Sequence, residues 1–218
     1  MVFFNVLTDL LFPPKCLFCR KILRSSTRAA CEDCLKLLTQ NDTIRIGVYF
    51  TRCCVPMYYE GRVRDALIRF KFQDQPGYAT EFGRILARCI RDNFSGQYDL
   101  ITWIPVSAER LKKRGYDQAM LLAMAAALEL QDVAVETLKK RADNPAQSSL
   151  TDAVARKANV EGAYLVPEPE LVADKRILLI DDIITTGATL DEASRTLLDA
   201  GAREVIAAAL AQPLEEYQ

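Results

Sequence analysis

Residues 176–192, RILLIDDIITTGATLDE, constrain this chain more than any other stretch. Four apolar residues, 177–180, run into a carboxylate pair, Asp181 and Asp182. A short loop of Thr185, Thr186, Gly187, Ala188 and Thr189 follows, and then a helix-like segment. An apolar strand that ends in acids and a small-residue loop is a place to hold a sugar phosphate. The acids accept hydrogen bonds from ribose hydroxyls, and the loop offers backbone N–H groups, hydroxyls and a helix N-terminus to a phosphate.

Strands and helices alternate from residue 98 onward, which predicts a doubly wound α/β sheet. The spacing predicts strands over 98–106, 133–138, 162–166, 175–181 and 204–210, and helices over 119–130 and 190–200, the last stopped by Gly201. Residues 98–106 are nearly all apolar, as expected of a parallel strand covered on both faces. Upstream, 44–56 reads as one or two strands, and 62–72 and 81–90 as helices. Arg62, Arg64, Arg69 and Lys71 punctuate the first helix, as a solvated face or as an anion-facing rim.

The strand over 98–106 ends at Pro105, Val106 and Ser107, just before a run holding Arg110, Lys112, Lys113 and Arg114. This run reads as a basic loop at a strand's carboxyl end, where α/β proteins bind ligands, with a solvated turn as the alternative.

At the front, Cys16, Cys19, Cys31 and Cys34 form two CxxC pairs separated by a short segment. Two such knuckles supply four thiolates for tetrahedral Zn²⁺. Disulfides, a redox CxxC and an iron–sulfur cluster are the alternatives. Too few apolar side chains surround these cysteines for a core, so a metal would supply folding energy. Cys53, Cys54 and Cys89 read as buried thiols.

The 218 residues fit one core with a small appendage. Half are apolar and 26% are charged, as in a globular protein. The net charge of −1 hides a basic first two-thirds and an acidic end, compatible with an anionic ligand or nucleic acid. Without histidine, no imidazole chemistry is available. No apolar run reaches the length of a membrane span, and the start lacks a signal-peptide pattern. A cytoplasmic protein is the expectation.

The acid pair and its TTGAT loop resemble the 5-phosphoribosyl 1-diphosphate (PRPP) signature of type I phosphoribosyltransferases. Across nearly the whole chain the pattern is similar to the ComF family. The matching parts are Phe12-Pro13-Pro14, the cysteine knuckles, Tyr59-Glu60-Gly61, Lys71-Phe72, Ile104-Pro105-Val106, the run from Arg114 to Gln118, Arg141 with Gln147, Arg156 with Asn159, and the 181–189 loop. The family commonly has Asn at Asp117, Phe at Tyr116 and Glu at Ala155. A carboxylate at Asp117 is expected to disfavour a phosphate-rich ligand.

The resemblance implies a type I phosphoribosyltransferase-like fold: a parallel sheet with helices on both faces, plus a small N-terminal zinc-binding module. It divides the chain into a zinc-knuckle module, 1–45, and a phosphoribosyltransferase-like domain, 46–218, with a hood over 139–160. It implies that Asp181 and Asp182 hold the ribose, and that Thr185, Thr186, Gly187, Ala188 and Thr189 hold the 5′-phosphate. Pro105, Val106 and Ser107 take the place of the diphosphate loop, and Arg114 is the preferred clamp. Mg²⁺ would accompany PRPP, and Zn²⁺ would be structural. The activity implied is ribosyl-phosphate transfer, present or former, to an unspecified acceptor in DNA uptake during natural transformation. The alternative is a non-catalytic adaptor for single-stranded DNA and a helicase-like partner.

Overall fold

The computed structural model describes residues 13–23, 29–72, 77–141 and 161–214. In chain order the elements are α1 (Glu32–Leu35), β1 (Leu38–Arg45), β2 (Cys53–Tyr58), α2 (Gly61–Phe72), α3 (Tyr78–Phe94), β3 (Leu100–Trp103), α4 (Ala108–Arg114), α5 (Gln118–Leu130), β4 (Lys139–Lys140), β5 (Tyr164–Leu165), β6 (Arg176–Ile183), α6 (Ala188–Asp199) and β7 (Glu204–Gln212). Most of the expected hood lies outside the described residues.

Five strands form the main sheet in the order β1-β2-β7-β6-β3. Four of them run parallel, but β1 pairs antiparallel with β2, so the sheet is mixed rather than parallel throughout. The parallel strands are apolar because both faces are covered. Side chains alternate across a strand, and β6 divides accordingly. Leu178 and Ile180 join a core with Leu67 and Phe70 of α2, Leu86 of α3 and Leu122 of α5. Ile177 and Leu179 join Leu190, Ala193 and Leu197 of α6 on the other face.

The helices α3 and α5 approach closely. A Cβ on Gly83 would sit 2.5 Å from the Ala125 Cβ. The front cysteine segment has no core of its own but shares this one: Leu17, Phe18 and Cys34 are buried with Val63, Phe70 and Phe82.

Three predicted strands shrink, 162–166 to the two residues of β5. The ladder of β3 stops after Ile104 donates to the Ile180 carbonyl, at Pro105, which has no N–H to continue it. Residues 133–138 make only an isolated parallel bridge, Ala134 to Ile101, before β4 pairs with β5 as a separate ribbon. That bridge still fixes the topology. The chain leaves β3 through α5 toward one side of the sheet, and leaves β6 through α6 toward β7 on the other. A crevice at such a divergence, outside the carboxyl ends of the strands, is where open α/β sheets take ligands.

Candidate ligand site and thiol cluster

The acid pair sits at the carboxyl end of β6. By alternation Asp181 lies on the α6 face and Asp182 on the α2 face. There the Lys71 ammonium, at the end of α2, lies 2.9 Å from Asp182 Oδ1. Both side chains are largely shielded, at 18% and 14% exposure, so this pair is less screened than a surface ion pair. Burial pushes the Asp181 carboxyl up to about 8; the Asp182 charge adds to that rise, and Lys71 opposes it.

Beyond the acids, the Ile184 N–H donates to the Ala211 carbonyl and the strand ends. Thr185 and Thr186 are exposed. Gly187 has φ of 82°, a left-handed conformation that a Cβ would strain, and it starts α6. The Asp191 carboxylate in the first turn accepts from Val48 N–H at 2.7 Å and Tyr49 N–H at 2.9 Å, which fixes the neighbouring 46–50 segment. A turn of hydroxyls and a helix N-terminus is equipped to receive an anion.

The second loop leaves β3, paired in register with β6 from Leu100 opposite Ile177 to Trp103 opposite Ile180. The basic run is a helix, α4, and not a loop as its charge suggests. Ser107 caps it by accepting from Arg110 N–H, and Gly115 closes it at φ of 79°. Lys71, Ser107, Arg110, Lys113 and Arg114 line a cleft of about 510 Å³, with Phe72 and one carboxylate, Glu109, beside them. Lys112 is exposed and does not line this cleft.

The Arg114–Gln118 run is also a stitch between elements. The Arg114 guanidinium lies 4.7 Å from the Phe72 ring centroid and donates to Gln118 Oε1 at 2.8 Å. The Tyr116 hydroxyl donates to the Phe70 carbonyl. Asp117 Oδ1 accepts from Met120 N–H, and Oδ2 from Val106 N–H, each at 3.0 Å. Burial raises the Asp117 carboxyl, against the pull of those amides. Both of its oxygens are thus engaged with backbone N–H groups, and the carboxylate braces the 105–107 loop.

The four front thiols converge. All pairs among the Sγ atoms of Cys16, Cys19, Cys31 and Cys34 lie within 4.8 Å, and none is in a disulfide. A tetrahedral site with metal–sulfur bonds of about 2.3 Å needs sulfurs about 3.8 Å apart, so the cluster is positioned to hold a metal ion. Two arginines of α2 reach this end. Arg62 Nη1 lies 3.6 Å from Cys34 Sγ. Arg69 Nη2 donates to the carbonyls of Leu17 at 3.1 Å and Phe18 at 2.7 Å, inside the first knuckle.

The phosphoribosyl transferase domain family matches residues 112–218. The chain is 26% identical to competence protein ComFC of Streptococcus pneumoniae over 187 residues, covering 86% of this chain and 77% of that protein. It is 32% identical to competence protein F of Haemophilus influenzae over 142 residues, 63% of this chain and 62% of that protein. It is 27% identical to competence protein ComFC of Bacillus subtilis over 184 residues, 81% of this chain and 69% of that protein. Over most of its length the chain is similar to the ComF-family competence proteins.

In this chain the acid pair with its Thr/Gly turn, and the loop at Pro105, Val106 and Ser107, leave neighbouring parallel strands at the same edge. Of the four cations of α2, Lys71 reaches the cleft, Arg62 turns to the Cys34 thiol, Arg69 to the first knuckle's carbonyls, and Arg64 is exposed. Gln147, Arg156 and Asn159 lie outside the described residues. Sequence reasoning placed Lys71 on a basic helix but missed its partner, because Asp182 is 111 positions away. Among the described residues, no helix is long and apolar enough to cross a membrane.

Proposed function

We propose that this protein binds PRPP with Mg²⁺ and transfers its ribosyl phosphate to an acceptor during DNA uptake. One observation carries the reading: the acid pair with its Thr/Gly turn, and the basic cleft after Pro105, sit at the carboxyl ends of adjacent parallel strands. The two halves match the two ends of the ligand.

Asp181 and Asp182 accept from the ribose 2′- and 3′-hydroxyls. Thr185, Thr186, Gly187, Ala188 and Thr189 donate to the 5′-phosphate through hydroxyls and the first amides of α6. Pro105, Val106 and Ser107 lead the chain past the diphosphate, and Arg110, Lys113 and Arg114 stabilise the charge that gathers on it. The bond from C1′ to the diphosphate oxygen breaks with its electron pair leaving on diphosphate. The acceptor's lone pair forms the new bond and its proton goes to solvent. The carboxylates of Asp181 and Asp182 are hard oxygen donors of the kind that suit Mg²⁺, which when bound neutralises phosphate charge.

The thiol cluster holds structural zinc. It anchors the front knuckles against the phosphoribosyltransferase-like domain, whose main sheet includes β1. Free thiols suit the reducing cytoplasm. The relatives named as competence proteins supply the context of DNA uptake.

Calorimetry of the purified chain with PRPP and Mg²⁺, followed by phosphorus NMR with candidate amine and base acceptors, tests this. Heat of binding and diphosphate release are expected. No heat at millimolar PRPP sinks the reading, and binding without turnover reduces it to a sensor. A second reading, an adaptor for single-stranded DNA and a helicase-like partner, is favoured by the exposed cations Arg110, Lys112 and Lys113 on α4. It requires oligonucleotide binding that weakens steeply with salt; salt-independent or absent binding removes it.

A further inference from the structure

We propose that Lys71 is an exchangeable counter-ion that makes the binding of cation and diphosphate mutually dependent. In the ligand-free protein it neutralises Asp182; when ligand arrives it moves to the diphosphate and gives Asp182 up to the incoming cation. The identity of the ligand rests on the proposed function above, but the exchange itself rests on geometry.

Lys71 belongs to two environments at once. Its ammonium is 2.9 Å from Asp182 Oδ1, and its side chain lines the basic cleft with Ser107, Arg110, Lys113 and Arg114. A diphosphate in that cleft would meet the same ammonium that holds the acid. Lysine suits such a change of partner, since its compact charge sits on a flexible four-carbon stem with three rotatable donors.

The backbone that carries it is held on three sides. Arg69 is bonded to the Leu17 and Phe18 carbonyls, the Phe70 carbonyl accepts from Tyr116, and Phe72 lies under Arg114. The end of α2 is therefore fixed, and the exchange falls to the Lys71 side chain alone.

Charge then sets the order of events. Asp182 stands with Asp181 and Asp117, each of which acts on another of the three as a like charge. Withdrawing Lys71 alone would leave Asp182 shielded from water without a counter-charge, which is strongly unfavourable. A ligand that brings a divalent cation satisfies both sides: the cation takes the carboxylates and Lys71 takes phosphate oxygens. Free diphosphate must compete with Asp182 for Lys71, and a free cation must compete with Lys71 for Asp182.

The test uses the full-length, zinc-replete chain as wild type, Lys71→Met, Lys71→Arg and Asp182→Asn. Binding of Mn²⁺ alone is read from the free-ion electron paramagnetic resonance signal, and binding of inorganic diphosphate, with and without Mn²⁺, by calorimetry. Lys71→Met is expected to bind Mn²⁺ alone about tenfold tighter and diphosphate about tenfold weaker, the latter a loss of about 1.4 kcal/mol. Asp182→Asn, which frees the ammonium, is expected to bind diphosphate alone more tightly than wild type. Lys71→Arg keeps a cation and stays nearer wild type than Lys71→Met on both counts.

Unchanged or weaker Mn²⁺ binding in Lys71→Met overturns the exchange, as does unchanged diphosphate binding. If Lys71→Met does not fold, Asp182→Asn decides by itself: diphosphate binding no tighter than wild type overturns the proposal. Wild type that binds diphosphate with Mn²⁺ but ignores PRPP removes the PRPP reading and leaves the Lys71 assignment standing. Wild type that binds PRPP while the variants behave alike does the reverse.

Discussion

Asp117 holds Val106. The Val106 N–H donates to Asp117 Oδ2 at 3.0 Å, while Oδ1 takes the Met120 N–H at the start of α5. One carboxylate therefore caps a helix and fixes the loop that opens the basic cleft. Asp117→Ala loses both bonds, costing about 2 kcal/mol from the cap and the stranded amide. Asp117→Asn can keep the cap but turns an amide NH₂ toward the Val106 N–H, costing about 1 kcal/mol. Urea denaturation of the two variants should rank them in that order below wild type. Equal midpoints would mean the brace carries no weight.

A pH dependence follows from Asp181, pushed up to about 8 chiefly by burial. An unfolded carboxyl titrates near about 3.9. Because the folded value is the higher one, this group's contribution to stability is complete below about pH 4 and is lost as pH rises through about 8. Asp181→Asn stays neutral throughout. Without ligand, its melting temperature should exceed that of wild type at pH 8.5, and the gap should close by pH 4. Calorimetric scans across that range measure it, and parallel curves would contradict the assignment.

The thiol cluster should bind metal as a unit. Cys34→Ala removes one of four sulfurs that lie within 4.8 Å of one another. Zinc content by elemental analysis should fall from about one ion per chain toward zero. Because Arg69 bonds inside the first knuckle, limited proteolysis should then reach residues 13–35 while the sheet stays protected. A full complement of zinc in the variant would show that the fourth thiol is dispensable.

Gly83 is a matter of space and not of backbone freedom. An added Cβ would come within 2.5 Å of the Ala125 Cβ and 2.8 Å of the Ala125 carbonyl carbon on α5. Gly83→Ala gains about 1 kcal/mol of helix propensity but forces α3 and α5 apart at a cost of about 1–3 kcal/mol. A net loss of stability is expected in denaturant, and a gain would mean the two helices part at little cost.

Legibility in the sequence tracks how each element is stabilised. The strand that becomes β6 and the helix α5 stand out because their residues are apolar for burial, and burial is what composition records. The helix α4 does not, since none of its seven residues is buried. It forms through local caps at Ser107 and Gly115, which charge and periodicity leave invisible. The strand β1, LTQNDTIR, carries no alternating apolar signal, and only its pairing with β2 makes it a strand. At the site, the acid pair and its loop were readable because they are contiguous. The Lys71–Asp182 pair and the Asp117–Val106 brace join distant or unmarked positions through tertiary packing, so spacing alone had no way to reveal them.

The pairing of β1 with β2 has a practical consequence for anyone shortening this protein. A fragment starting at residue 46 would discard more than the cysteines: it would strip the partner from β2, whose first five residues are all buried. Bare strands of that character recruit other chains. The fragment would therefore be expected to precipitate, and its insolubility would say nothing about the metal. A fragment cut at residue 38, which keeps β1, compared with single thiol substitutions in the full chain, separates the two effects.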